Sequence, residues 1–279
     1  MEACDVESRY PAVIVGSDQV WNEDITRRED GYFLTAVFKR PTLRRYSYAV
    51  SVGDRFPAKK RLDELMVVAK RFENLSFREE FHSDLTDAHG RPPVSDPDPT
   101  LLLKQEDYDA VSYPVPLERR PYLLVYALVH VASTWAAARA VAKKMGLKLV
   151  VVHMYQYGRY GIVGADGAVI DVSPDRFLAY FRDAAAIVTS TFHGTAFSLV
   201  YGKPFAVLPG YGGKVSLRIA ELLRTLHERD RMVPDPTDLR RLEKTLAGPV
   251  RHGLVEDLRL LRESAVGRLR DMLGTGSGA

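Results

Sequence analysis

The sequence has few of the features that mark secreted or membrane proteins. Cys4 is the one cysteine among 279 residues, so an internal disulfide is excluded. The N-terminus has no charged segment followed by an apolar stretch, and no signal peptide is predicted. No window approaches the roughly 18 apolar residues that a membrane-spanning helix needs. These absences predict a cytoplasmic protein without a transmembrane segment.

Charge and cofactor motifs are also sparse. Lys and Arg total 39 against 36 Asp and Glu, and the net charge of +3 is too small to predict nucleic-acid binding. A phosphorylated or acidic substrate needs only a few well-placed cations and stays compatible with this balance. The seven histidines show no metal-ligand spacing, and there is no Walker loop or GxGxxG. The sequence therefore predicts neither a metal nor a dinucleotide cofactor.

Alternating strands and helices are predicted along the chain, whose composition of 46% hydrophobic and 27% charged residues suits a soluble protein. A short β-branched run at residues 12–15 and a Tyr- and Val-rich run at 44–52 predict strands, and apolar spacing at 58–72 predicts a helix. A short strand or turn at 75–78 precedes a helical piece predicted to begin near Glu79. Prolines between residues 105 and 121 indicate an interdomain linker.

Beyond the linker the alternation starts again. A strand at 122–129, an alanine-rich helix at 133–144 and a strand at 147–153 form a βαβ unit, which predicts a parallel sheet. Further strands are predicted at 186–190 and 204–208. Further helices are predicted from Ser173 to about residue 184 and at 194–201, 215–228, 237–246 and 254–273, before a Gly/Ser tail that is predicted to be disordered.

Two loops at predicted strand ends have the composition of a binding site. One contains Ser17, Asp18 and Gln19 after Gly16, and the other contains Thr191, His193, Gly194 and Thr195. These residues are the candidate site residues of the two loops. Strand carboxyl ends in parallel sheets face the N-termini of following helices, whose amides bind anions. The second loop also offers an imidazole for acid or base chemistry. The alternative is a packed histidine that bonds a neighbouring carbonyl.

Two charged motifs outside these loops allow more than one interpretation. Arg78, next to Glu79 and Glu80, could hold a phosphate or carboxylate through two hydrogen bonds, or it could form a surface ion pair. The Asp96-Pro97-Asp98 segment resembles the paired carboxylates of metal-dependent glycosyltransferases. Its prolines favour a rigid turn instead.

These stretches resemble the polysaccharide pyruvyl transferase family. The matching segments are VIVGSDQVWN at 13–22, YFL at 32–34, SYAVSVG at 47–53, LSFREE at 75–80, DPTLLL at 98–103, LLVYAL at 123–128 and SPDRFLAYFRDAAAIVTSTFHGTAFSLVYGKPF at 173–205. They occur in the family's order and cover most of the chain up to about Met232. GSDQVWN and FHGTAFS are the most specific of them.

The resemblance implies an α/β fold with two Rossmann-like domains in a glycosyltransferase-B-like arrangement. We expect a shortened N-terminal domain at residues 1–112, a C-terminal domain at 113–250, and a helix at 251–279 that bridges back to the first domain before the disordered tail. The active site is expected between the Gly16 loop and the His193 loop. The resemblance also implies phosphoenolpyruvate as donor, a sugar or glycan as acceptor, and a pyruvate ketal as product.

The resemblance further implies roles for individual residues. His193 is the acid/base residue, Arg78 clamps the donor anion, and the helix that starts at Gly194 cradles the phosphate. Arg218 resembles a recurrent family arginine and adds positive charge, while Asp18 and Gln19 hold acceptor hydroxyls. Ser17, Thr191 and Thr195 are assigned to substrate binding with them.

Two departures from the family pattern keep other functions open. In the ketal-forming branch an arginine stands two positions before the histidine, and here that position is Thr191. Family members also carry a strand-helix region before GSDQVWN. We expect that this chain lacks the region, that another subunit or a second copy in a homo-oligomer supplies it, or that the acceptor site is remodelled. The alternatives to pyruvyl transfer are a nucleotide-sugar glycosyltransferase and a catalytically silent binding partner.

Overall fold

The computed structural model describes residues 10–26, 43–54, 58–80, 84–113, 121–127, 132–153, 167–170 and 172–274. The YFL motif at 32–34, the linker prolines Pro114 and Pro116, and the tail at 275–279 lie outside these ranges. The chain divides into two compact units, Met1–Leu102 with Leu261–Ala279 (unit 1) and Leu103–Leu260 (unit 2). Each unit contains its own parallel β-sheet.

Unit 1 is built on a sheet whose strands lie side by side in chain order. The strands are β1 (Ala12–Asp18), β2 (Arg44–Val50), β3 (Ser76–Phe77) and β4 (Val94–Ser95), and all neighbouring pairs are parallel. Helices α1 (Glu23–Thr26) and α2 (Lys59–Ala69) lie between them in the chain. The carboxyl ends of all four strands therefore meet at one edge of the sheet.

The tryptophan of the GSDQVWN motif belongs to the core of unit 1. Trp21 is 2% exposed and meets Phe72 and Phe77 edge to face, with ring centroids 5.6 and 5.4 Å apart. Such pairs add about 0.5–1.5 kcal/mol to the burial of the rings themselves. Part of this motif thus fixes the position of the loop and does not contact a ligand.

The helix predicted near Glu79 was wrong. No helix occurs between β3 and β4 in the described residues 78–80 and 84–93. The Glu79 carboxylate instead accepts hydrogen bonds from Ser51 Oγ (3.0 Å) and the Val52 amide (2.8 Å). These contacts hold the chain extended at the end of β2, because a buried carboxylate requires hydrogen-bond donors.

Unit 2 contains a five-stranded parallel sheet, as the βαβ pattern predicted. The strands are β5 (Tyr122–Tyr126), β6 (Lys148–His153), β7 (Gly167–Ile170), β8 (Ala186–Thr189) and β9 (Phe205–Val207), and their spatial order is β7-β6-β5-β8-β9. Leu124, Ile187 and Phe205 are completely buried. The strands read as continuous apolar runs because helices of a parallel sheet cover both faces.

Most helices of unit 2 lie close to the predicted positions, but a helix at residues 105–111 occupies part of the segment that was interpreted as an interdomain linker. The helices of this unit are α3 (Gln105–Val111), α4 (Ala132–Lys144), α5 (Pro174–Asp183), α6 (Phe192–Val200), α7 (Leu217–Thr225), α8 (Leu239–Ala247) and the start of α9 (Leu254–Leu273). From Leu261 onward α9 belongs to unit 1. Across the described helices, none has both the length and the apolar character to cross a membrane.

Candidate active site

The strand order of unit 2 reverses between β5 and β8. The chain adds β6 and β7 on one side of β5 and then returns to place β8 on the other side. Ligands of doubly wound sheets bind outside the carboxyl ends of the strands at such a reversal. Thr189 Oγ1 donates a hydrogen bond of 2.8 Å to the Tyr126 carbonyl and so joins the two carboxyl ends directly. The segment that follows Thr189 therefore begins at the expected ligand-binding position of this sheet.

His193 lies in the first turn of α6, four residues after the end of β8. Its side chain is half-buried, and its ring meets the Phe192 ring edge to face at a centroid distance of 5.8 Å. The imidazole is therefore held by packing and is still accessible to solvent. This environment differs from that of the neighbouring Thr195, which is completely buried.

The other polar residues of this loop are used inside the protein. Thr191 is the N-cap of α6, and its Oγ1 accepts a hydrogen bond of 2.9 Å from the Gly194 amide. Thr195 Oγ1 donates 2.9 Å to the Thr191 carbonyl. The predicted helix start at Gly194 was two residues late, since the Thr191 cap lets the helix begin at Phe192. The Gly194 amide therefore serves the cap and is not directed at a phosphate.

Gly194 is required by the close approach of α6 to the end of β8. A Cβ at this position would lie 2.1 Å from Thr189 Oγ1 and 2.7 Å from Thr191 Oγ1. We expect Gly194→Ala to lower the free energy of unfolding by about 1–3 kcal/mol, because overpacking forces β8 and α6 apart. Urea unfolding measures this loss.

Gly267→Ala is the matched control for that change. Gly267 also lies inside a helix, α9, but a Cβ there meets nothing within 4 Å. We expect this variant to be more stable by about 0.5–1 kcal/mol, because alanine favours the helix more than glycine does. Equal effects of the two alanines would contradict the steric role of Gly194.

At the carboxyl edge of unit 1, Arg78 and Asp98 form a buried ion pair. Arg78 Nη2 lies 2.5 Å from Asp98 Oδ2, and the two side chains are 2% and 3% exposed. Ser17 bridges them, since its Oγ accepts 2.7 Å from Arg78 Nη2 and donates 3.1 Å to Asp98 Oδ2. Asp18 Oδ1 lies 3.5 Å from Arg78 Nη1. The surface ion pair considered for Arg78 was wrong, because the pair is buried.

The carboxylates around Arg78 weaken its ability to bind a further anion. Two carboxylates, Asp98 and Asp18, lie within ion-pair distance of one guanidinium. Their combined negative charge offsets the arginine, and a further anion gains little attraction there. The contacts thus assign Arg78 to holding the β1 end against β3, and the donor clamp that the resemblance implied gains no support from them.

The Asp96-Pro97-Asp98 segment uses both of its carboxylates for structure. Asp98 Oδ1 accepts hydrogen bonds from the amide (2.9 Å) and hydroxyl (2.7 Å) of Thr100, which starts a short 3₁₀ helix, Pro99–Leu101. Asp96 Oδ2 accepts 2.6 Å from Ser76 Oγ. In the described part of the chain, no group of three or more His, Cys, Asp or Glu is placed to hold a metal.

Asp18 is the exposed acidic residue of the Gly16 loop. It has a φ of 75°, and its side chain is 59% exposed. Gln19 Oε1 accepts 2.8 Å from Asn22 Nδ2, so this amide is used within the loop. Gly53 lies directly against the side chains of Gln19 and Asn22. A Cβ on residue 53 would lie 2.4 Å from Asn22 Nδ2, and the φ of +89° at Gly53 also favours glycine. The loop therefore presents the Asp18 carboxylate from a rigid turn.

Arg218 lies in the first turn of α7, which contacts α6 within unit 2. Its side chain is half-buried. A cation at a helix N-terminus is opposed by the helix dipole, so the position does not favour an arginine for the sake of helix stability.

Sequence reasoning did not predict the contacts of two residues that shape these edges. Thr189 joins β8 to β5, and Asp98 is the counter-ion of Arg78. The Asp-Pro-Thr sequence at 98–100 indicates a capping role for Asp98, because Asp followed by Pro is typical of a helix N-cap. No local signal indicates that Asp98 also reaches Arg78.

Comparisons with known proteins identify a shared fold and a family. No curated protein matches the chain in sequence. Solved structures of similar fold include S. aureus MnaA with UDP (12% identity, 98% of this chain, 79% of that chain, TM-score 0.56), a UDP-GlcNAc 2-epimerase from Neisseria meningitidis (11%, 94%, 73%, 0.54) and the calicheamicin glycosyltransferase CalG4 (14%, 98%, 75%, 0.50). At these identities the similarity establishes the fold alone, which is that of GT-B-like glycosyltransferases and epimerases.

The family comparison covers most of the chain. The profile of the family described as polysaccharide pyruvyl transferase matches residues 4–210. That range includes the GSDQVWN loop, Arg78, the Asp98 turn and the His193 loop. The chain therefore belongs to the polysaccharide pyruvyl transferase family.

Proposed function

We propose that the protein transfers a pyruvyl group from phosphoenolpyruvate to two hydroxyls of a sugar in a glycan or glycoside, forming a ketal. The observation that carries the proposal is the position of His193, a solvent-accessible imidazole in the first turn of α6 where the strand order of unit 2 reverses. Membership of the family supports a transferase with a sugar acceptor and a separate donor.

In the proposed reaction His193 moves protons. The protonated imidazole gives a proton to C3 of phosphoenolpyruvate while a sugar hydroxyl adds to C2, and the neutral imidazole then accepts the hydroxyl proton. The C2–O bond to phosphate breaks as a second hydroxyl attacks C2, and its proton leaves with the phosphate. The products are one ketal and one phosphate. Positioned acid and base groups of this kind contribute about 10²- to 10⁴-fold to a rate.

The other candidate residues have supporting roles in this proposal. Thr191, Gly194 and Thr195 form the turn that carries His193. Ser17 and Arg78 fix the end of β1, from which Asp18 offers its exposed carboxylate to acceptor hydroxyls, next to Gln19. Arg218 supplies positive charge for the donor, which carries a phosphate and a carboxylate.

We expect Arg218→Gln to raise the KM for phosphoenolpyruvate by about tenfold to a hundredfold, because a lost charged hydrogen bond costs about 1.5–3 kcal/mol. Arg224→Gln is the matched control on the same helix. Arg224 is 45% exposed and lies 4.0 Å from Glu221. Initial rates of phosphate release over a range of donor concentrations give both values. An unchanged KM in the Arg218 variant would remove this residue from the donor site.

The function itself is tested by supplying phosphoenolpyruvate with a panel of nucleotide sugars and lipid-linked glycans. We expect acceptor-dependent phosphate release and a product that gains one pyruvate ketal. Saturable binding of a uridine or guanosine diphosphate sugar without any response to phosphoenolpyruvate would favour a glycosyltransferase instead. Binding of no phosphorylated donor at all would favour a silent partner protein.

The uncharged Thr191 is the observation that keeps these alternatives relevant. Its hydroxyl is 3.1 Å from Thr189 Oγ1 and caps α6, and the residue is 7% exposed. This position therefore supplies a helix cap where the ketal-forming branch has an arginine. Donor binding in this chain must rely on another cation, which makes the donor assay the decisive experiment.

A further inference from the structure

The backbone of β2 is strained at Ala49. This residue is completely buried and has a φ of 47°, in the left-handed region that residues other than glycine rarely adopt. Asp18, with a φ of 75°, pairs with Val50 from the neighbouring strand β1. Ala49 and Asp18 are two of the three non-glycine residues with positive φ among the described residues, and both lie at the carboxyl ends of adjacent strands. Strain of this kind is typical of functional sites and persists only where surrounding contacts hold it.

A buried hydroxyl holds Ala49 in this conformation. The Ala49 amide donates a hydrogen bond of 3.0 Å to Ser76 Oγ on β3, where a regular ladder would use a backbone carbonyl of the neighbouring strand. Ser76 Oγ in turn donates 2.6 Å to Asp96 Oδ2. Because a hydroxyl has one hydrogen to donate, the Asp96 carboxylate takes that hydrogen and leaves the lone pairs of the oxygen for the Ala49 amide. Ser76 is completely buried, and Asp96 is 3% exposed.

Arg268 fixes the Asp96 carboxylate from α9. Its Nε lies 2.6 Å and its Nη2 lies 2.5 Å from Asp96 Oδ1. A carboxylate that is buried this deeply is stable only with a basic partner and hydrogen-bond donors. Arg268 Nη1 also donates 2.6 Å to Ser264 Oγ, four residues earlier on the helix, which fixes the guanidinium. Arg268, Asp96 and Ser76 therefore form a continuous chain of hydrogen bonds from α9 to the Ala49 amide.

The residues after Ala49 carry the Asp18 turn. The Ser51 amide donates 2.9 Å to the Asp18 carbonyl, and the Ser51 carbonyl accepts 3.1 Å from the Trp21 amide. Ser51 follows Ala49 by two positions, so a change of φ at Ala49 moves both of these bonds. Asp18 offers its exposed carboxylate to acceptor hydroxyls in the proposed reaction. Displacement of such a group by about 1 Å can cost about a hundredfold in rate.

We propose that Ser76, Asp96 and Arg268 are positioning residues, whose hydrogen bonds hold the left-handed backbone at Ala49 and thereby set the place of the Asp18 turn. For the role of Asp18 in acceptor binding, this inference rests on the proposed function. It adds to that function three side chains that lie outside the Gly16 loop and the His193 loop. Loss of a link in the chain lets Ala49 relax to a negative φ, and Ser51 and the Asp18 turn then move with it.

Hydrogen exchange of backbone amides, followed by NMR, tests the coupling without any substrate. Ser76→Ala removes the acceptor of the Ala49 amide, and we expect exchange at the Ser51 and Trp21 amides to accelerate by about tenfold or more. Ser47→Ala is the matched control, because Ser47 is also a completely buried serine of this sheet and accepts from the Ser76 amide (2.8 Å) instead of from Ala49. It is expected to accelerate exchange at these two amides by less than about threefold. Equal acceleration in both variants would overturn the coupling.

Steady-state kinetics test the consequence for the reaction. In Ser76→Ala we expect kcat/KM for the sugar acceptor to fall by about tenfold to a hundredfold, and the KM for phosphoenolpyruvate to change by less than about twofold. A second substitution in this background, Ala49→Gly, is expected to restore most of the acceptor value, because glycine adopts positive φ without strain. A hydrogen bond that only stabilises the fold would give neither the split between the two substrates nor the rescue.

Arg268→Met repeats the kinetic test from a residue that is 39% exposed, and its fold is expected to tolerate the change if that of Ser76→Ala does not. We expect kcat/KM for the acceptor to fall by about tenfold, because Asp96 loses the donors that orient it. Arg270→Met is the matched control, since Arg270 is exposed on the same helix, and it is expected to keep the value of the unchanged protein.

The positioning role is overturned if kcat/KM for the acceptor is unchanged in Ser76→Ala and Arg268→Met, if donor and acceptor values fall together, or if Ala49→Gly restores nothing. Absence of pyruvyl transfer in the unchanged protein would contradict the proposed function instead. The exchange rates at Ser51 and Trp21 would then still decide whether Ser76 holds the Asp18 turn.

Discussion

Replacement of His193 by alanine is expected to lower the turnover number for pyruvyl transfer by about 10²- to 10⁴-fold. The reason is that C3 of the donor must gain a proton, and His193 is the titratable group in the α6 turn at the strand-order reversal. Phosphate release with saturating donor and acceptor measures the change. Because the imidazole is only half-buried, thermal unfolding is expected to be little affected.

His252→Ala is the control for this variant. His252 is exposed and belongs to the same unit, in the segment before α9. The His252→Ala variant is expected to have the turnover number of the unchanged protein. Full turnover of His193→Ala would exclude proton transfer by this residue, and a variant that binds donor normally but does not react would support it.

Replacement of Arg78 by alanine is expected to lower the free energy of unfolding of unit 1 by about 3–5 kcal/mol. The change leaves Asp98, whose side chain is 3% exposed, without its counter-ion 2.5 Å away. Ser17 also loses the donor of a 2.7 Å hydrogen bond. Urea unfolding followed by tryptophan fluorescence in a Trp135→Phe background, in which Trp21 of the same unit is the remaining tryptophan, reports this loss.

The double variant Arg78→Met/Asp98→Asn separates the buried charge from the rest of the contact. With both charges removed, no ion remains buried alone, and we expect a smaller loss than in Arg78→Ala. Lys59→Ala is the exposed control, since Lys59 and Asp63 are 88% and 58% exposed and such pairs contribute less than about 1 kcal/mol. A loss in Arg78→Ala no larger than in Lys59→Ala would show that the ion pair does not stabilise unit 1.

The catalytic consequence of Arg78→Ala follows from the same contacts. If Arg78 clamps the donor, the Arg78→Ala variant loses affinity for phosphoenolpyruvate because a charge is missing, and its fold stays intact. A residue that holds β1 against β3 would instead change stability first and activity through Asp18. Comparison of donor KM with unfolding free energy in one variant distinguishes these two roles.

The sequence by itself determined the elements with strong local patterns. The helix predicted at 254–273 coincides with α9, the strand predicted at 44–52 contains β2, and the βαβ unit gives the parallel pairing of β5 and β6. Apolar spacing, β-branched runs and capping residues are properties of neighbouring residues, so they can be read directly. The family motifs, and with them the His193 and Gly16 loops, were also identifiable at this level.

Only the tertiary structure decided how distant residues combine. It pairs Arg78 with Asp98, brings Ser17 to both across 61 and 81 positions, and makes Gly194 necessary through its contact with Thr189. Strands of two residues, such as β3, have no periodicity to detect and exist because neighbouring strands bind them. Burial and strand order depend on the whole chain. Burial shows that the ion pair of Arg78 is internal and not on the surface, and the strand order places His193 at the reversal of the sheet.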